Sequence, residues 1–317
     1  MSSAAPSPAP TARASRSDAV FHWAFRVLAL APVVLIVSLG VELYHASLAS
    51  RHAFGWGFLT GSAWDPVFDH FGAWPFIFGT LVTTAVALVL AVPFGVGTAV
   101  FLAEVAPLWL RRPIGYLVEL SVAIPSVVYG LWGIFVVVPW LQQTVEPWLG
   151  QAFAWLPLFQ GAPYGLGFLA AGLVLSMMVT PFVVSLAREA ISSVPRSQAE
   201  AAYALGSTRW EVVSRVVLPG ARSGIWGGVL LAVGRALGET MAVTMLIGNR
   251  PAVSSSLFAP GYTLASVIAN EFTEATTRVY TSALIEIGLI LFGITLLVNL
   301  VARIFLYRMN RPLGGTA

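Results

Sequence analysis

Six apolar stretches, each long enough to cross a bilayer as a helix, divide this chain and leave little room for another kind of fold. They run over about Val27–Tyr44, Phe76–Val105, Ile114–Val138, Gly165–Leu186, Ile225–Leu246 and Ser282–Leu306. In hydrocarbon a backbone must satisfy its own hydrogen bonds, and ~20 apolar residues at ~1.5 Å per residue make a helix that does so across ~30 Å. What lies between the stretches is short of charge. Of 317 residues 57% are hydrophobic and 10% charged, and the mean hydropathy is +0.82. A soluble domain of this length would carry more charge on its surface. The expectation is an all-α, polytopic helical membrane protein with six transmembrane helices.

The chain divides accordingly. Residues 1–17 are rich in Ala, Pro and Ser and read as a disordered tail that buries no core. Residues 18–75 hold the first span and an outer loop, 76–308 the helical core, and 309–317 a short end. The first span has basic residues before it and Ala46–Ser47–Leu48–Ala49 after it, as a signal peptide would. Its apolar run is long for a signal peptide, so an uncleaved anchor is expected. In the second span, Pro93 and Gly95 predict a kink or local unwinding.

Composition removes several chemistries. All 17 basic residues are arginine. Without lysine there is no Walker-A loop and no Schiff-base amine. Without cysteine there are no disulfides, thiolate metal sites or Cys nucleophiles. The four histidines, His22, His45, His52 and His70, show no metal-ligand spacing on a helix. The acids and histidines show no nucleophile–base arrangement on facing spans, which argues against an intramembrane hydrolase.

The arginines report orientation. Arg13, Arg16, Arg26, Arg111, Arg112, Arg188, Arg196, Arg209, Arg215 and Arg222 fall on one side, with Arg303, Arg308 and Arg311 at the C-terminal end; Arg51, Arg250 and Arg278 fall on the other. By the positive-inside rule both termini are cytoplasmic, and the net charge of +3 is a topology signal, not a nucleic-acid patch. Trp56, Trp64, Trp74, Trp140, Trp148 and Trp155 gather in the outer loops, where tryptophan anchors at the water–lipid boundary.

Arg235 and Glu239 stand inside the fifth apolar stretch. A central charge costs at least ~2.5–3.5 kcal/mol, so it marks a solute path or a deliberate ion pair. On a continuous helix the two are four apart and share a face, which predicts a self-neutralising pair. Counted from Arg222, Arg235 lies about 20 Å along the helix at ~1.5 Å per residue, beyond the midplane. Gly234 and Gly238 either admit a neighbouring helix or leave room for an ion. Ser126 and Tyr129, after Pro125, either face a cavity or pack in a kinked core. Glu119 and Glu286 are also intramembrane, with no task assigned.

The most polar stretch, 188–222, fits two short helices on the cytoplasmic side. Ser197 caps the first with Glu200 three residues on; Gly206 permits the bend; Ser207 or Thr208 caps the second, with Glu211; Pro219 stops it. The apolar stripe Ala201, Leu205, Trp210, Val213 and Val217 must be buried on something, either its own bundle or a partner.

Glu200–Ala201–Ala202, Gly206, Val216 and Leu218–Pro219 closely resemble the EAA signature of permease subunits in binding-protein-dependent ABC importers, with Val for Ile at 216 as the departure. The resemblance covers roughly Phe76 to Phe305. It implies the type I ABC importer permease fold, with Glu200, Ala201, Ala202, Gly206, Leu218 and Pro219 in a coupling element that docks on a separate ATPase. Ala123–Gly133, Gly234–Val243 with Gly248–Asn249, and the outer-loop segments Phe58–Gly61, Trp64–Pro66 and Phe71–Gly72 further resemble the PstC family of phosphate-importer permeases. That resemblance implies inorganic phosphate as substrate, a sister permease of the PstA family, a PstB ATPase dimer that uses ATP, and a periplasmic phosphate-binding protein, PstS. No cofactor is expected on this chain. Arg235 and Glu239 map onto the family's transport residues, and Ser126, Tyr129 and Thr240 join them as expected path residues. Permeases for sulfate, molybdate or phosphonate share the coupling loop but should lack the Arg235-to-Glu239 text. A secondary transporter would need inverted repeats, and none is visible.

Overall fold

The computed structural model describes residues 16–309. The tail expected over 1–17 lies outside these apart from its last two positions, where a helix begins, and 310–317 lie outside as well. The helices are α1 (Arg16–Ala46), α2 (Leu48–Phe54), α3 (Gly57–Thr60), α4 (Trp74–Val105), α5 (Leu108–Ala123), α6 (Ser126–Ala152), α7 (Phe168–Ser192), α8 (Arg196–Ala204), α9 (Arg209–Leu237), α10 (Met241–Leu246), α11 (Leu264–Glu271) and α12 (Arg278–Met309). Six of them (α1, α4, α6, α7, α9 and α12) are long and apolar enough to span a membrane, as expected. A two-residue antiparallel ladder joins β1 (Trp64–Asp65) to β2 (His70–Phe71), with Trp64 opposite Phe71. The chain divides after His45 into a small unit holding α1 and a larger one holding the rest.

Within the larger unit α7 is the most buried span, and small residues let its neighbours reach it. A Cβ at Gly95 of α4 would stand 2.8 Å from Val183, and one at Gly172 of α7 would stand 2.5 Å from Val86. On the other side, Gly224 and Gly228 of α9 approach Ala190 and Leu186 in the same way. Gly95 therefore serves helix approach. The helix runs unbroken past Pro93, so the local unwinding allowed for there does not occur.

Two expected boundaries move. The third span does not run from Ile114: α5 ends at Ala123, Ile124 is extended (ψ 126°), and α6 begins after Pro125. The pyrrolidine ring bars the preceding residue from helical geometry, so the apolar text on both sides of Pro125 belongs to two helices. Glu119 accordingly sits on α5, before the break, and not on the long helix α6. The fifth span is likewise shorter at its far end, as described below.

The outer end is a knit of aromatic and polar groups. Trp64 Nε1 and the Tyr280 hydroxyl both donate to Glu271 Oε2 at 2.7 Å, and Phe71 stacks on Tyr280 at 5.1 Å. Trp64 is thus a packed, hydrogen-bonded residue and not a boundary anchor, because a half-buried indole N–H needs an acceptor. Trp56 and Trp155 stay exposed. Asn270 Nδ2 donates to the Tyr262 phenol at 3.0 Å, and burial pushes that phenol well above its usual pKa range. Glu286 of α12 is buried close to Ser50 of α2, whose backbone N–H donates to Ser282 Oγ at 3.0 Å. Trp64→Phe keeps the ring and removes one donor to Glu271; we expect a loss of about 1–3 kcal/mol in unfolding free energy, read by denaturation in detergent.

Candidate functional site

The site is built from two interrupted helices. α9 ends at Leu237, Gly238 leaves helical geometry (φ −96°, ψ 1°), and α10 restarts at Met241. Arg235 and Glu239 therefore do not share a helix face, and the expected ion pair is not formed; among the described residues the ion pair seen is Arg215–Glu211. Arg235 lies in the last turn of α9, its guanidinium 4.9 Å from the Phe182 ring centroid. Glu239 Oε1 instead faces the start of α10 and accepts from the Ala242 N–H at 3.4 Å. Each charge is stabilised by a helix end and not by its neighbour: free carbonyls draw the cation to the end of α9, and free N–H groups draw the anion to the start of α10. Thr240 Oγ1 donates to Gly238 O at 3.2 Å, and Thr240 O receives Thr244 Oγ1 at 2.7 Å, so Thr240 ties the interruption together.

The second interruption is the Pro125 break. Tyr129 Oη donates at 3.1 Å to Ser121 O, one of the carbonyls left free at the end of α5. The Tyr129 ring packs against the buried core of α6, α7 and α10. Ser126 opens α6, half-buried. The two restarted helices meet: a Cβ at Gly130 of α6 would stand 2.5 Å from Met245 Sδ and 3.2 Å from Ala242 Cα of α10. The breaks at Pro125 and Gly238 are thereby coupled through the short helices that follow them. Sequence reading placed Gly130 within a motif without a role; the contact across α6 and α10 supplies one.

Gly227, Leu231 and Gly234 lie at i, i+4 and i+7, one stripe of α9 that leads to Gly238 at its end. A Cβ at Gly227 or Gly234 meets nothing within 4 Å, at Gly238 only Gly234 O at 3.8 Å, and Leu231 is exposed. Among the described residues nothing packs on these glycines, and Arg235, also exposed, stacks on Phe182. The contrast predicts that Gly130→Leu separates α6 from α10 at a cost of about 1–3 kcal/mol. Gly234→Ala leaves the chain's own stability unchanged. Paired thermal denaturation of the two variants checks this.

The two helices expected over 188–222 are present with three changes. α8 begins after Pro195 with no side-chain cap, so Ser197 is not its N-cap. Gly206 takes φ +84° with open space around it, the left-handed turn that glycine permits without strain. Thr208 then caps α9 in a full capping box with Glu211, as expected. Pro219 does not stop the helix. A wide π-helical turn at Val213–Val217 precedes it, and Pro219 falls in the first turn after that, where its missing N–H leaves no gap. The second helix of the loop is therefore the near end of the fifth span itself. The apolar stripe splits as well. Val213 and Val217 are buried, and Val217 and Leu218 pack with Ala202 on the bundle, while Leu205 is 89% and Trp210 72% exposed. Glu200 and Ala201 are exposed on α8.

Residues 91–311 match the family of binding-protein-dependent transport system inner membrane components. The "Phosphate transport system permease protein PstC" of Mesorhizobium japonicum is 47% identical over 307 residues, covering 96% of this chain and 94% of that one. The chain belongs to this permease family, in its PstC group. The protein of the same description from Pasteurella multocida is 45% identical over 94% of each chain, and a "Probable phosphate transport system permease protein PstC" from Methanocaldococcus jannaschii is 36% identical over 87% of this chain and 89% of its own. Among solved structures, a bacterial alginate ABC transporter aligns with TM-score 0.63 at 17% identity over 94% of this chain and 99% of the other. An inward-facing MetNI methionine ABC transporter aligns with TM-score 0.57 at 17% identity over 78% and 100%. The type I ABC importer permease fold expected from sequence is the fold observed. The chain is a multi-pass inner-membrane transport subunit of an ABC importer.

Proposed function

We propose that this permease forms one half of the membrane channel of an ATP-driven importer of inorganic phosphate, with Arg235 as the oxyanion's contact within the bilayer. The observation that carries the reading is an arginine at the end of α9 that has no counter-ion among the described residues, held by Phe182 beside a glycine stripe. Guanidinium offers phosphate a planar pair of donors and stays charged at any working pH. Glu239, bound to the start of α10, leaves that fork free; Ser126 and Thr240 offer hydroxyl oxygens at the two interruptions. The names of the relatives support phosphate over sulfate, molybdate or phosphonate.

In this reading the stripe of α9 faces a sister permease of the PstA type, and a PstS-type phosphate-binding protein delivers the anion to the outer face. Leu205 and Trp210, with exposed Glu200 and Ala201, form the knob seated by one protomer of a PstB-type ATPase dimer. ATP is bound and hydrolysed there; this chain lacks the lysine of a P-loop and performs translocation alone. Gly206 sets the knob's angle, and α9 runs unbroken from Trp210 through Leu218 and Pro219 to Arg235, so closure of the ATPase moves the helix that carries the arginine. The arginine-rich ends support cytoplasmic termini in this reading. The test is uptake of radiolabelled phosphate into proteoliposomes holding the four-component complex. Uptake that needs ATP and is not competed by sulfate or molybdate supports the reading; preferential uptake of another oxyanion overturns it.

A further inference from the structure

A cleft among α4, α5, α6 and α7 runs into a smaller one among α4, α5 and α7. The larger, about 840 Å³, is lined by Phe94, Leu117, Trp132, Leu173, Met177 and other apolar groups. The smaller, about 320 Å³, is lined by Gly115, Glu119, Ser185, Arg188, Glu189 and Ser192, and Val118 and Val184 belong to both. Along α7, Leu173 to Val184 covers about 16 Å at ~1.5 Å per residue, about half of a ~30 Å hydrocarbon core. The apolar cleft therefore has the depth of one leaflet. Arg188 comes one turn later, at headgroup level.

The polar cleft holds its charges apart. Arg188 is half-buried and reaches across to α5, its Nη1 lying where a Cβ on Gly115 would stand 2.7 Å away. Neither Glu119 nor Glu189 pairs with it within 4.0 Å, although both line the same cleft. A single cation beside two carboxylates disfavours a purely anionic headgroup. It suits a head that carries a phosphate and a primary ammonium together: phosphate on Arg188, ammonium N–H groups on Glu119 and Glu189, acyl chains in the cleft above. We infer that this permease holds one phospholipid of the phosphatidylethanolamine class between α5 and α7. The lipid completes the packing of α5, which touches the bundle through Ile114 and Val118 and leaves Leu117 and Leu120 exposed. The inference rests on the chain's spanning a membrane and not on what it transports.

The test is native mass spectrometry of the delipidated complex titrated with phosphatidylethanolamine, phosphatidylcholine and phosphatidylglycerol of identical chains. Phosphatidylethanolamine should bind best, by about tenfold over phosphatidylglycerol, the effect of one charge-assisted contact. Arg188→Gln should remove that binding and Arg188→Lys should keep most of it. Glu119→Gln with Glu189→Gln should bring the three lipids level, and Met177→Trp, which fills the apolar cleft, should weaken all of them. If Arg188→Gln fails to assemble, the paired glutamine variant decides by headgroup preference alone. Equal binding of the three lipids by the unaltered complex overturns the inference. So does a crosslink from Thr180→Cys, the sole thiol in a cysteine-free chain, to the sister permease, because a protein helix then fills the cleft.

Discussion

Arg235→Gln is expected to lower phosphate uptake by about 10- to 100-fold in an assembled complex, because a charge-assisted contact in the path is worth about 1.5–3 kcal/mol. Arg235→Lys keeps the charge and loses both the planar fork and the stacking on Phe182, so an intermediate loss is expected. Glu239→Gln separates this account from an ion-pair account. Were Glu239 the partner of Arg235, removing it would leave a buried cation uncompensated and the two changes would be strongly coupled. Glu239 faces the start of α10, however, and the two side chains share no bonding partner. The double variant should therefore equal the sum of the single ones to within about 0.5 kcal/mol. Initial uptake rates for the four proteins give the cycle directly. Normal uptake by both Arg235 variants would remove the residue from the path.

Leu205→Asp with Trp210→Asp should abolish capture of the ATPase by the permease, weakening it by more than about 100-fold. Two exposed apolar anchors at the centre of an interface are each worth ~2 kcal/mol or more, and each aspartate adds a desolvation penalty. The fold itself should be unaffected, since both side chains lie in solvent while the buried part of the stripe, Val213 and Val217, is untouched. Co-purification and ATP hydrolysis measure the outcome. Retention of the ATPase by the double variant would show that α8 and its turn do not form the dock.

The two predictions concern regions that the sequence exposed to different degrees. The loop at 188–222 was legible because its signals are local: Gly206 before Thr208 and Glu211 encodes a left-handed turn followed by a capping box, and both formed. Ser197 was misread because α8 begins earlier than expected: Pro195 occupies the N-cap position, which puts Ser197 inside the first turn. Pro219 was misread because a proline stops a helix only when its missing N–H and its ring leave a defect. A π turn ahead of it, invisible in the text, absorbs that defect. Trp64 illustrates the same limit, since its acceptor, Glu271, lies 207 residues away.

Hydropathy settled the all-helical class and the number of spans, since the cost of unbonded backbone or exposed charge in hydrocarbon acts on each segment by itself. The local motif settled the family. What the text alone left undecided was where the helices at Pro125 and Gly238 stop. Both lie in apolar runs that read as continuous. The packing of α6 on α10 through Gly130 joins the restarted helices, and the break at Gly238 leaves Arg235 stacked on Phe182 and not paired with Glu239.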